Sequence, residues 1–207
     1  MMTSLRREGI SILGVRVDPV WPEQAVALVD AYIRAGGTHH IVTVNPEFVV
    51  QARGDQEFRQ VLNSADLAIA DGVGLLAAAK VLGRPLPSRV TGVELVERTA
   101  ALAAERGYTV YLLGAAEGVA AETAAVLRRR HPALQVVGVH AGSPHPSHDL
   151  DIIQRVRAAD PDILFVAYGA PAQDLWIRRN RAALDVPVAV GVGGTFAAER
   201  FSVSFPA

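Results

Sequence analysis

The stretch 40–48, HIVTVNPEF, decides the fold. Its residues Ile41–Val44 are all β-branched, which is typical of a short strand covered on both faces. Asn45-Pro46-Glu47 then begins a helix, because asparagine caps helix starts and proline suits their first turn. A buried strand that passes directly into a helix is the repeating unit of an open parallel α/β sheet.

The same order of short apolar runs and longer helical patterns continues on both sides of this stretch. The predicted strands are Ser11–Val15, His40–Val44, Leu67–Ala70, Thr109–Leu113, Gln135–Val139, Ile163–Ala167 and Pro187–Val192. The predicted helices are Pro22–Arg34, Glu47–Asn63 with a break near Gly54, Gly74–Leu82, Glu94–Glu105, Glu117–Arg130, Leu150–Arg157 and Ala172–Ala183. This alternation predicts an α/β fold with a Rossmann-like, open, mostly parallel sheet and helices on both faces. We expect one domain over residues 1–207.

The composition excludes several classes of protein. Half of the 207 residues are hydrophobic, so the chain can bury a large core, and the net charge of −1 gives no electrostatic reason to expect nucleic acid as a partner. Cysteine is absent, which excludes disulfides and thiolate catalysis. Arg16 and Asp18 interrupt the apolar stretch near the N-terminus, so it lacks the uninterrupted apolar core of a secretory signal. No apolar run approaches the roughly 18 residues of a membrane span. We therefore expect a cytoplasmic protein whose contact with a membrane is at most peripheral.

Polar or glycine-rich turns follow most of the predicted strands. They are Thr43–Glu47, Asp71-Gly72, Gly114–Gly118, Gly169–Trp176 and Gly191–Thr195. In open α/β sheets the carboxyl ends of the strands meet at one edge, where helix N-termini bind ligands. The pattern predicts a ligand site at that edge without specifying its chemistry.

Asp71 and Arg89 are the side chains best suited to catalysis. Asp71 follows a buried strand, where partial desolvation can raise a carboxyl pKa toward the range of a general base, although capping of the next helix is the more ordinary role for an aspartate taken alone. Arg89 lies in a proline-stiffened loop, where a guanidinium can bind a diphosphate or simply be an exposed arginine. Thr43 and Asn45 share the edge with Asp71, and capping is again the structural alternative for Asn45.

Neither metals nor other cofactors are indicated. The triplets 149–151 and 160–162 have the Asp-x-Asp pattern, but the first begins a helix and the second precedes a strand on the opposite edge. His140, His145 and His148 share a loop without the spacing of a zinc site. We expect no metal and no cofactor.

Taken together and in their order along the chain, these segments resemble the motifs of the WecG/TagA/CpsF glycosyltransferase family, from about residue 10 to residue 196. The matching segments are Thr43-x-Asn45-Pro46-Glu47, Ala65-Asp66 with Asp71-Gly72, Arg89-Val90-x-Gly92-x-Glu94-Leu95, Leu112-Leu113-Gly114 with Gly118-Val119-Ala120, His131-Pro132-x-Leu134, Gly169-x-Pro171-x-Gln173-Asp174-x-Trp176-Ile177 and Val192-Gly193-Gly194-Thr195-Phe196. The chain departs from the family pattern at Ala172, Asp174 and Ala197.

The resemblance implies an inverting, metal-independent transfer of N-acetylmannosamine, or its uronic acid, from UDP to GlcNAc-pyrophosphoryl-polyprenol. Such enzymes build teichoic acid, common antigen or capsule. Asp71 would be the base and Arg89 would offset charge on the diphosphate. The residues that would bind substrate are Thr43, Asn45, Gly114, Gly169, Gln173, Gly193 and Thr195.

The resemblance further implies peripheral contact with the membrane, self-association, and a C-terminal appendage that we expect to be missing after Ala207.

Two other functions fit the residues. A dinucleotide-dependent oxidoreductase fits the sheet and Gly114–Gly118, although no full G-x-G-x-x-G follows the first strand. A non-catalytic protein that binds a UDP-sugar fits the expected absence of the appendage.

Overall fold

The protein contains a six-stranded parallel sheet, seen in a computed structural model that describes residues 9–196. Its strands are β3 (His39–Val44), β4 (Leu67–Ala70), β5 (Thr109–Gly114), β6 (Gln135–His140), β7 (Ile163–Ala167) and β8 (Val188–Gly191). They lie in the order β4-β3-β8-β7-β5-β6, and every neighbouring pair is parallel. This confirms the predicted open α/β sheet and makes it wholly parallel over the described residues.

Eight α-helices connect the strands within the described residues. They are α1 (Pro22–Ala35), α2 (Pro46–Gly54), α3 (Gln56–Ser64), α4 (Val73–Val81), α5 (Gly92–Arg106), α6 (Val119–Arg130), α7 (Asp149–Ala159) and α8 (Ala172–Leu184). The break predicted near Gly54 is confirmed. Asp55 lies between α2 and α3, where its carboxylate accepts a hydrogen bond from the Phe58 N–H at 2.9 Å and so caps α3.

The helices cover both faces of the sheet. On one face, α1, α5 and α6 pack against apolar side chains such as Ile41, Leu112 and Phe165. On the other face, α2, α3 and α4 cover β3 and β4, while α7 and α8 cover β5 and β7. Successive side chains of a strand point to opposite faces. Each central strand is therefore largely apolar on both faces, with His40 and Thr43 of β3 as buried polar exceptions, and this is the pattern that revealed the strands in the sequence.

The predicted strand Ser11–Val15 is wrong. The structure has two short antiparallel strands there, β1 (Ile10–Ile12) and β2 (Val15–Val17), outside the main sheet. Leu13 and Gly14 join them with φ angles of 49° and 86°, the left-handed geometry of a two-residue hairpin turn. Gly14 is the one turn signal in this run, and sequence reasoning missed it because leucine, the other turn residue, rarely adopts a positive φ.

β3 and β8 are neighbours in the sheet, and the chain leaves their carboxyl ends toward opposite faces. After β3 it enters α2, which packs with α3 and α4. After β8 it passes through a 3₁₀ turn, Gly193–Phe196, and Phe196 packs on the face that α5 and α6 cover. Such divergence leaves a crevice at the carboxyl edge of a parallel sheet, where ligands bind.

Candidate active site

A cavity of about 830 Å³ lies at this crevice. Its walls come from the ends of β3, β4, β7 and β8 and from the loop that leads into α5. Seven predicted site residues line it, namely Thr43, Asn45, Asp71, Arg89, Gly169, Gly193 and Thr195. Residues separated by up to 152 positions (195 − 43) thus meet in one cavity.

Asp71 is fixed where β4 ends. Its N–H donates to the Val44 carbonyl oxygen at 2.6 Å, and its Oδ2 accepts a hydrogen bond from the Gly92 N–H at 3.0 Å. Gly92 begins the 15-residue helix α5, so the carboxylate faces the positive end of a long helix dipole. Asp71 does not cap the helix that follows it, because α4 begins after Gly72 without a side-chain cap. The Gly92 amide and the start of α5 thus hold the carboxylate in place at the wall of the cavity.

Gly92 allows this arrangement because it has no side chain. A Cβ at that position would lie 2.6 Å from the Thr195 Oγ1, 3.4 Å from the Val192 carbonyl oxygen and 3.7 Å from the Asp71 Oδ2. The start of α5 therefore packs directly against both the turn after β8 and the carboxylate. Thr91 precedes Gly92 and caps α5, its Oγ1 accepting a hydrogen bond from the Glu94 N–H at 3.1 Å.

Arg89 reaches the cavity from the loop between α4 and α5. The loop is anchored by the buried Val90, whose N–H donates to the Ala70 carbonyl oxygen at 2.8 Å. The Arg89 side chain is exposed and lines the cavity. The guanidinium therefore lies where it can meet an anionic ligand.

Thr43 and Asn45 have structural partners as well as places in the cavity wall. The Thr43 hydroxyl donates to the Gly191 carbonyl oxygen at 2.9 Å and ties β3 to β8. The Asn45 Oδ1 accepts a hydrogen bond from the Phe48 N–H at 2.9 Å, which is the capping role that the sequence offered as an alternative. Capping occupies only the side-chain oxygen of Asn45. Substrate binding by either residue stays a prediction.

Gln173 and Gly114 are not among the residues that line the cavity. Gln173 is completely buried at the start of α8, and its Oε1 accepts a hydrogen bond from the Gly193 N–H at 2.8 Å. It therefore supports the cavity wall from behind. Gly114 ends β5 with φ at 105°, and a Cβ there would lie 2.7 Å from the Ala167 carbonyl carbon. Close backbone packing explains that glycine.

A buried, hydrogen-bonded pair of side chains lies beneath the same wall. The His40 Nε2 is 3.2 Å from the Asp174 Oδ1, and both side chains are almost completely buried. Gly191 passes directly over the pair, because a Cβ on it would be 2.4 Å from that Oδ1. Sequence reasoning missed His40, since nothing in a strand pattern shows which buried residue will face Asp174 from across the fold.

Sequence reasoning also missed several residues of the cavity wall. Glu47 and Gln51 line it from exposed positions on α2, and Thr91, Gly92 and Val93 line it from the start of α5. A signal for the second group existed, because Thr91-x-x-Glu94 has the pattern of a helix start. That pattern identifies the start of α5. It does not show that this helix start will face the end of β4, where Asp71 lies.

Within residues 9–196 no three His, Cys, Asp or Glu side chains cluster as a metal site would require. The two Asp-x-Asp triplets have structural partners instead. The Asp149 carboxylate accepts a hydrogen bond from Arg179 Nε at 2.7 Å, and the Asp162 carboxylate accepts one from the Thr109 N–H at 2.8 Å. Burial alone would raise the pKa of Asp149, but the hydrogen bond and charge of Arg179, together with smaller contributions from Asn180 and Trp176, lower it.

Over the described residues, every helix is too short or too polar to span a bilayer. Ala197 is one of the departures from the family pattern, and it lies outside the described residues. The expectation that the C-terminal appendage is missing also concerns a part of the chain outside those residues.

Comparison with known proteins identifies relatives along most of the chain. The glycosyl transferase WecG/TagA/CpsF family matches residues 10–199. An N-acetylglucosaminyldiphosphoundecaprenol N-acetyl-beta-D-mannosaminyltransferase of Bacillus spizizenii is 35% identical over 156 residues, covering 75% of this chain but only 60% of that protein. A protein of the same name from Staphylococcus aureus (strain NCTC 8325 / PS 47) is 31% identical over 188 residues, covering 90% of this chain and 73% of that protein.

Proposed function

The chain belongs to the WecG/TagA/CpsF family of glycosyl transferases, and we propose that it transfers N-acetylmannosamine, or its uronic acid, from a UDP-sugar to GlcNAc-pyrophosphoryl-polyprenol. The product would serve the synthesis of teichoic acid, common antigen or capsule. The names of the Bacillus and Staphylococcus relatives support both the sugar and the acceptor, since they specify N-acetylmannosamine and N-acetylglucosaminyldiphosphoundecaprenol. The UDP donor is proposed from the family resemblance.

The observation that carries this proposal is the meeting of Asp71 and Arg89 in one cavity. In an inverting displacement, the acceptor hydroxyl oxygen attacks the anomeric carbon of the donor sugar while the bond from that carbon to the UDP oxygen breaks. Asp71 takes the proton of the hydroxyl, and Arg89 offsets the charge that develops on the departing diphosphate. One base and one cation are the groups that such a displacement needs.

The backbone also favours a diphosphate in this cavity. The N-terminal residues of α2 and α5 line it, and so does the glycine-rich turn Gly193-Gly194-Thr195. Helix N-termini carry a positive partial charge that favours anions, although the Gly92 and Gly193 N–H groups already donate to Asp71 and Gln173. We assign substrate contacts to Thr43, Asn45 and these turns, and a supporting role to Gln173.

The lipid-linked acceptor also determines where in the cell the proposed enzyme would work. A polyprenyl chain resides in a membrane, so the proposed enzyme would work as a peripheral protein at the inner face of the cell membrane. Self-association, which the family resemblance implies, is part of the proposal, and its test is the molar mass in solution measured by light scattering.

A UDP-release assay tests the proposal. Purified protein is supplied with a synthetic lipid-pyrophosphoryl-GlcNAc and with either UDP-ManNAc or UDP-GlcNAc. We expect acceptor-dependent release of UDP from UDP-ManNAc, at the same rate with and without EDTA. UDP binding without release would favour the non-catalytic alternative, and inactivation by EDTA would remove metal independence from the proposal.

The oxidoreductase alternative gains no support from the relatives, and the turn Gly114–Gly118 does not line the cavity. Thermal unfolding in the presence of UDP or NAD separates the two functions directly. We expect UDP, but not NAD, to raise the melting temperature, because ligands that bind the native state alone stabilise it.

A further inference from the structure

Two polar side chains of the cavity wall have no part in the proposed reaction so far. Glu47 and Gln51 line the cavity from exposed positions on α2. Among the described residues that line the cavity, the charged ones are Glu47, Asp71 and Arg89. The proposed reaction uses Asp71 as the base and Arg89 at the diphosphate, so the Glu47 carboxylate is the charged group that still needs an explanation.

Glu47 and Gln51 face the cavity together, because residues four positions apart are neighbours on one side of a helix. Phe48 lies between them in the cavity wall. Its ring packs against Phe58 of α3 with the ring centroids 5.5 Å apart, and the side-chain cap of Asn45 fixes the first turn of α2. Glu47, Phe48 and Gln51 therefore form one supported surface, which we call the α2 wall.

The α2 wall has the chemistry of a sugar site rather than of a phosphate site. A carboxylate accepts hydrogen bonds from hydroxyl groups, an amide both donates and accepts them, and an aromatic ring offers apolar contact. A pyranose ring presents hydroxyls and apolar C–H groups together, so it matches all three. A diphosphate does not match, because the Glu47 carboxylate repels it and offsets the positive end of α2.

The α2 wall and the start of α5 approach Asp71 from different sides. Pro46, the first residue of α2, packs against the turn after Asp71, since a Cβ on Gly72 would lie 2.8 Å from the Pro46 Cδ. The Asp71 Oδ2 instead accepts its hydrogen bond from Gly92, at the start of α5. Because α2 and α5 cover opposite faces of the sheet, Asp71 lies where the two sides of the cavity meet.

The stereochemistry of the proposed reaction assigns the two sides to different substrates. In an inverting displacement, the attacking hydroxyl and the departing diphosphate lie on opposite sides of the anomeric carbon. Arg89, which we assign to the diphosphate, lies in the loop that enters α5, and its neighbour Val90 packs in the core that α5 covers. The acceptor sugar, whose hydroxyl meets Asp71, then extends toward the α2 wall.

We propose that the α2 wall is the subsite for the N-acetylhexosamine of the acceptor. The Glu47 carboxylate accepts hydrogen bonds from hydroxyls of that sugar, and the Gln51 amide binds a second polar substituent. The same carboxylate disfavours a diphosphate at this wall, so the two substrates cannot exchange places. This inference rests on the proposed function, which supplies the roles of Asp71 and Arg89 and the identity of the acceptor.

α3 provides a matched control for the ordinary role of a glutamate near a helix start, which is to stabilise the helix dipole. Both α2 and α3 have nine residues and a side-chain cap, and Glu57 has the second position in α3 that Glu47 has in α2. Both glutamates are exposed, but Glu57 is not among the residues that line the cavity. Only Glu47 should therefore affect the acceptor.

Steady-state kinetics with a water-soluble, short-chain GlcNAc-pyrophosphoryl lipid tests the subsite. Glu47→Gln should raise the KM for this acceptor about tenfold, because hydrogen bonds to a charged group are stronger than those to an amide. The kcat and the KM for UDP-ManNAc should change by less than about twofold, since the lost contact is to the acceptor alone. Glu57→Gln should leave all three values unchanged.

Gln51→Leu tests the second polar group of the α2 wall. It should raise the acceptor KM about fivefold, the effect of losing one neutral hydrogen bond. Gln60→Leu, at an exposed position on α3, is its control and should behave like the unmodified protein.

Calorimetry measures the acceptor contact without turnover. The protein is saturated with UDP, which carries no sugar to transfer, and is titrated with the same acceptor. Glu47→Gln should weaken acceptor binding about tenfold. It should bind UDP at least as tightly as the unmodified protein, because the cavity has lost a negative charge. Thermal unfolding verifies folding, and the melting temperatures of Glu47→Gln and Glu57→Gln should agree.

The outcomes separate this inference from the proposed function. Acceptor binding that is absent from the unmodified protein, or that Glu47→Gln leaves unchanged, would overturn the inference. So would a loss confined to UDP-ManNAc, which would place the donor at the α2 wall, or equal losses in Glu47→Gln and Glu57→Gln. If the unmodified protein releases no UDP but binds the acceptor through Glu47, the proposed transfer fails and the subsite stands. UDP release with an unchanged acceptor KM in Glu47→Gln has the opposite meaning.

Discussion

The carboxyl edge of the sheet contains two glycine-bearing regions of opposite character. Between β3 and β8 the chain diverges, and a cavity of about 830 Å³ opens between Asp71, Arg89 and the turn after β8. Between β5 and β7 the strands stay together past the end of β5, where the Ala115 N–H donates to the Ala167 carbonyl oxygen at 2.9 Å. The first region presents side chains to a ligand, and the second is closed by its own backbone.

The comparison shows that glycine near a strand end has two different causes. Gly92 is required because Thr195 and Asp71 approach it from distant parts of the chain, whereas Gly114 is required because β5 packs against the backbone of β7. Tyr168 follows Ala167 in the chain, and its ring packs edge-on against Trp176 with the ring centroids 5.9 Å apart. Partial burial raises the pKa of the Tyr168 hydroxyl above its ordinary value.

The largest effect is expected from Asp71→Asn, which removes the proposed base from the open region. Turnover should fall by about 10²–10⁴-fold, the usual contribution of a positioned general base. UDP affinity, measured by calorimetry, should change little, because the amide keeps the size of the carboxyl group. Asp151→Asn on the exposed surface of α7 is the matched control. Unchanged turnover in Asp71→Asn would remove Asp71 from the base role.

Gly92→Ala should break the packing that positions Asp71. The new methyl group would meet the Thr195 Oγ1 at 2.6 Å, so the start of α5 has to move away from the turn after β8. Displacement of a catalytic group by about 1 Å can cost about 100-fold in rate. UDP release per folded molecule measures the loss. Gly54→Ala, with open space around its Cβ, serves as the control and should be fully active.

Gln173→Leu should cause a smaller loss of turnover. It tests whether Gln173, buried behind Gly193, supports the cavity wall. The Gly193 N–H would lose its acceptor, and losing one such hydrogen bond costs about 0.5–1.5 kcal/mol of stability. We expect turnover to fall about tenfold as the turn after β8 loosens, a loss of about 1.4 kcal/mol. Gln60→Leu, at an exposed site on α3, should change neither property. A stable and fully active Gln173→Leu protein would contradict the supporting role.

Gly114→Ala examines the closed region and should have the least effect on activity. Its Cβ would approach the Ala167 backbone at 2.7 Å with φ at 105°, which should lower the free energy of unfolding by about 1–3 kcal/mol. UDP affinity per folded molecule should remain unchanged. Gly107→Ala has open space at φ 77° and should destabilise less in chemical denaturation. Loss of UDP binding by the folded Gly114→Ala protein would assign this turn to the substrate after all.

Much of the fold could be predicted because the relevant signals are local. Leu67–Ala70 and Ile163–Ala167 have the predicted bounds, since an apolar run between polar turns identifies a strand buried on both faces. The hairpin at Leu13-Gly14 could not be predicted. Its turn depends on a leucine in a left-handed conformation that the packing of β1 and β2 imposes.

The sequence by itself determined the parallel α/β class, most element bounds and the turns that could bind a ligand, because helix periodicity, strand burial and capping act within a few residues. Only the tertiary structure decided which turns meet. The order β4-β3-β8 brings Asp71 to the start of α5 and leaves Gly114 outside the cavity, and it places Gln173 behind Gly193. Strand order is set by long-range packing of whole layers, and no local pattern along the chain records it.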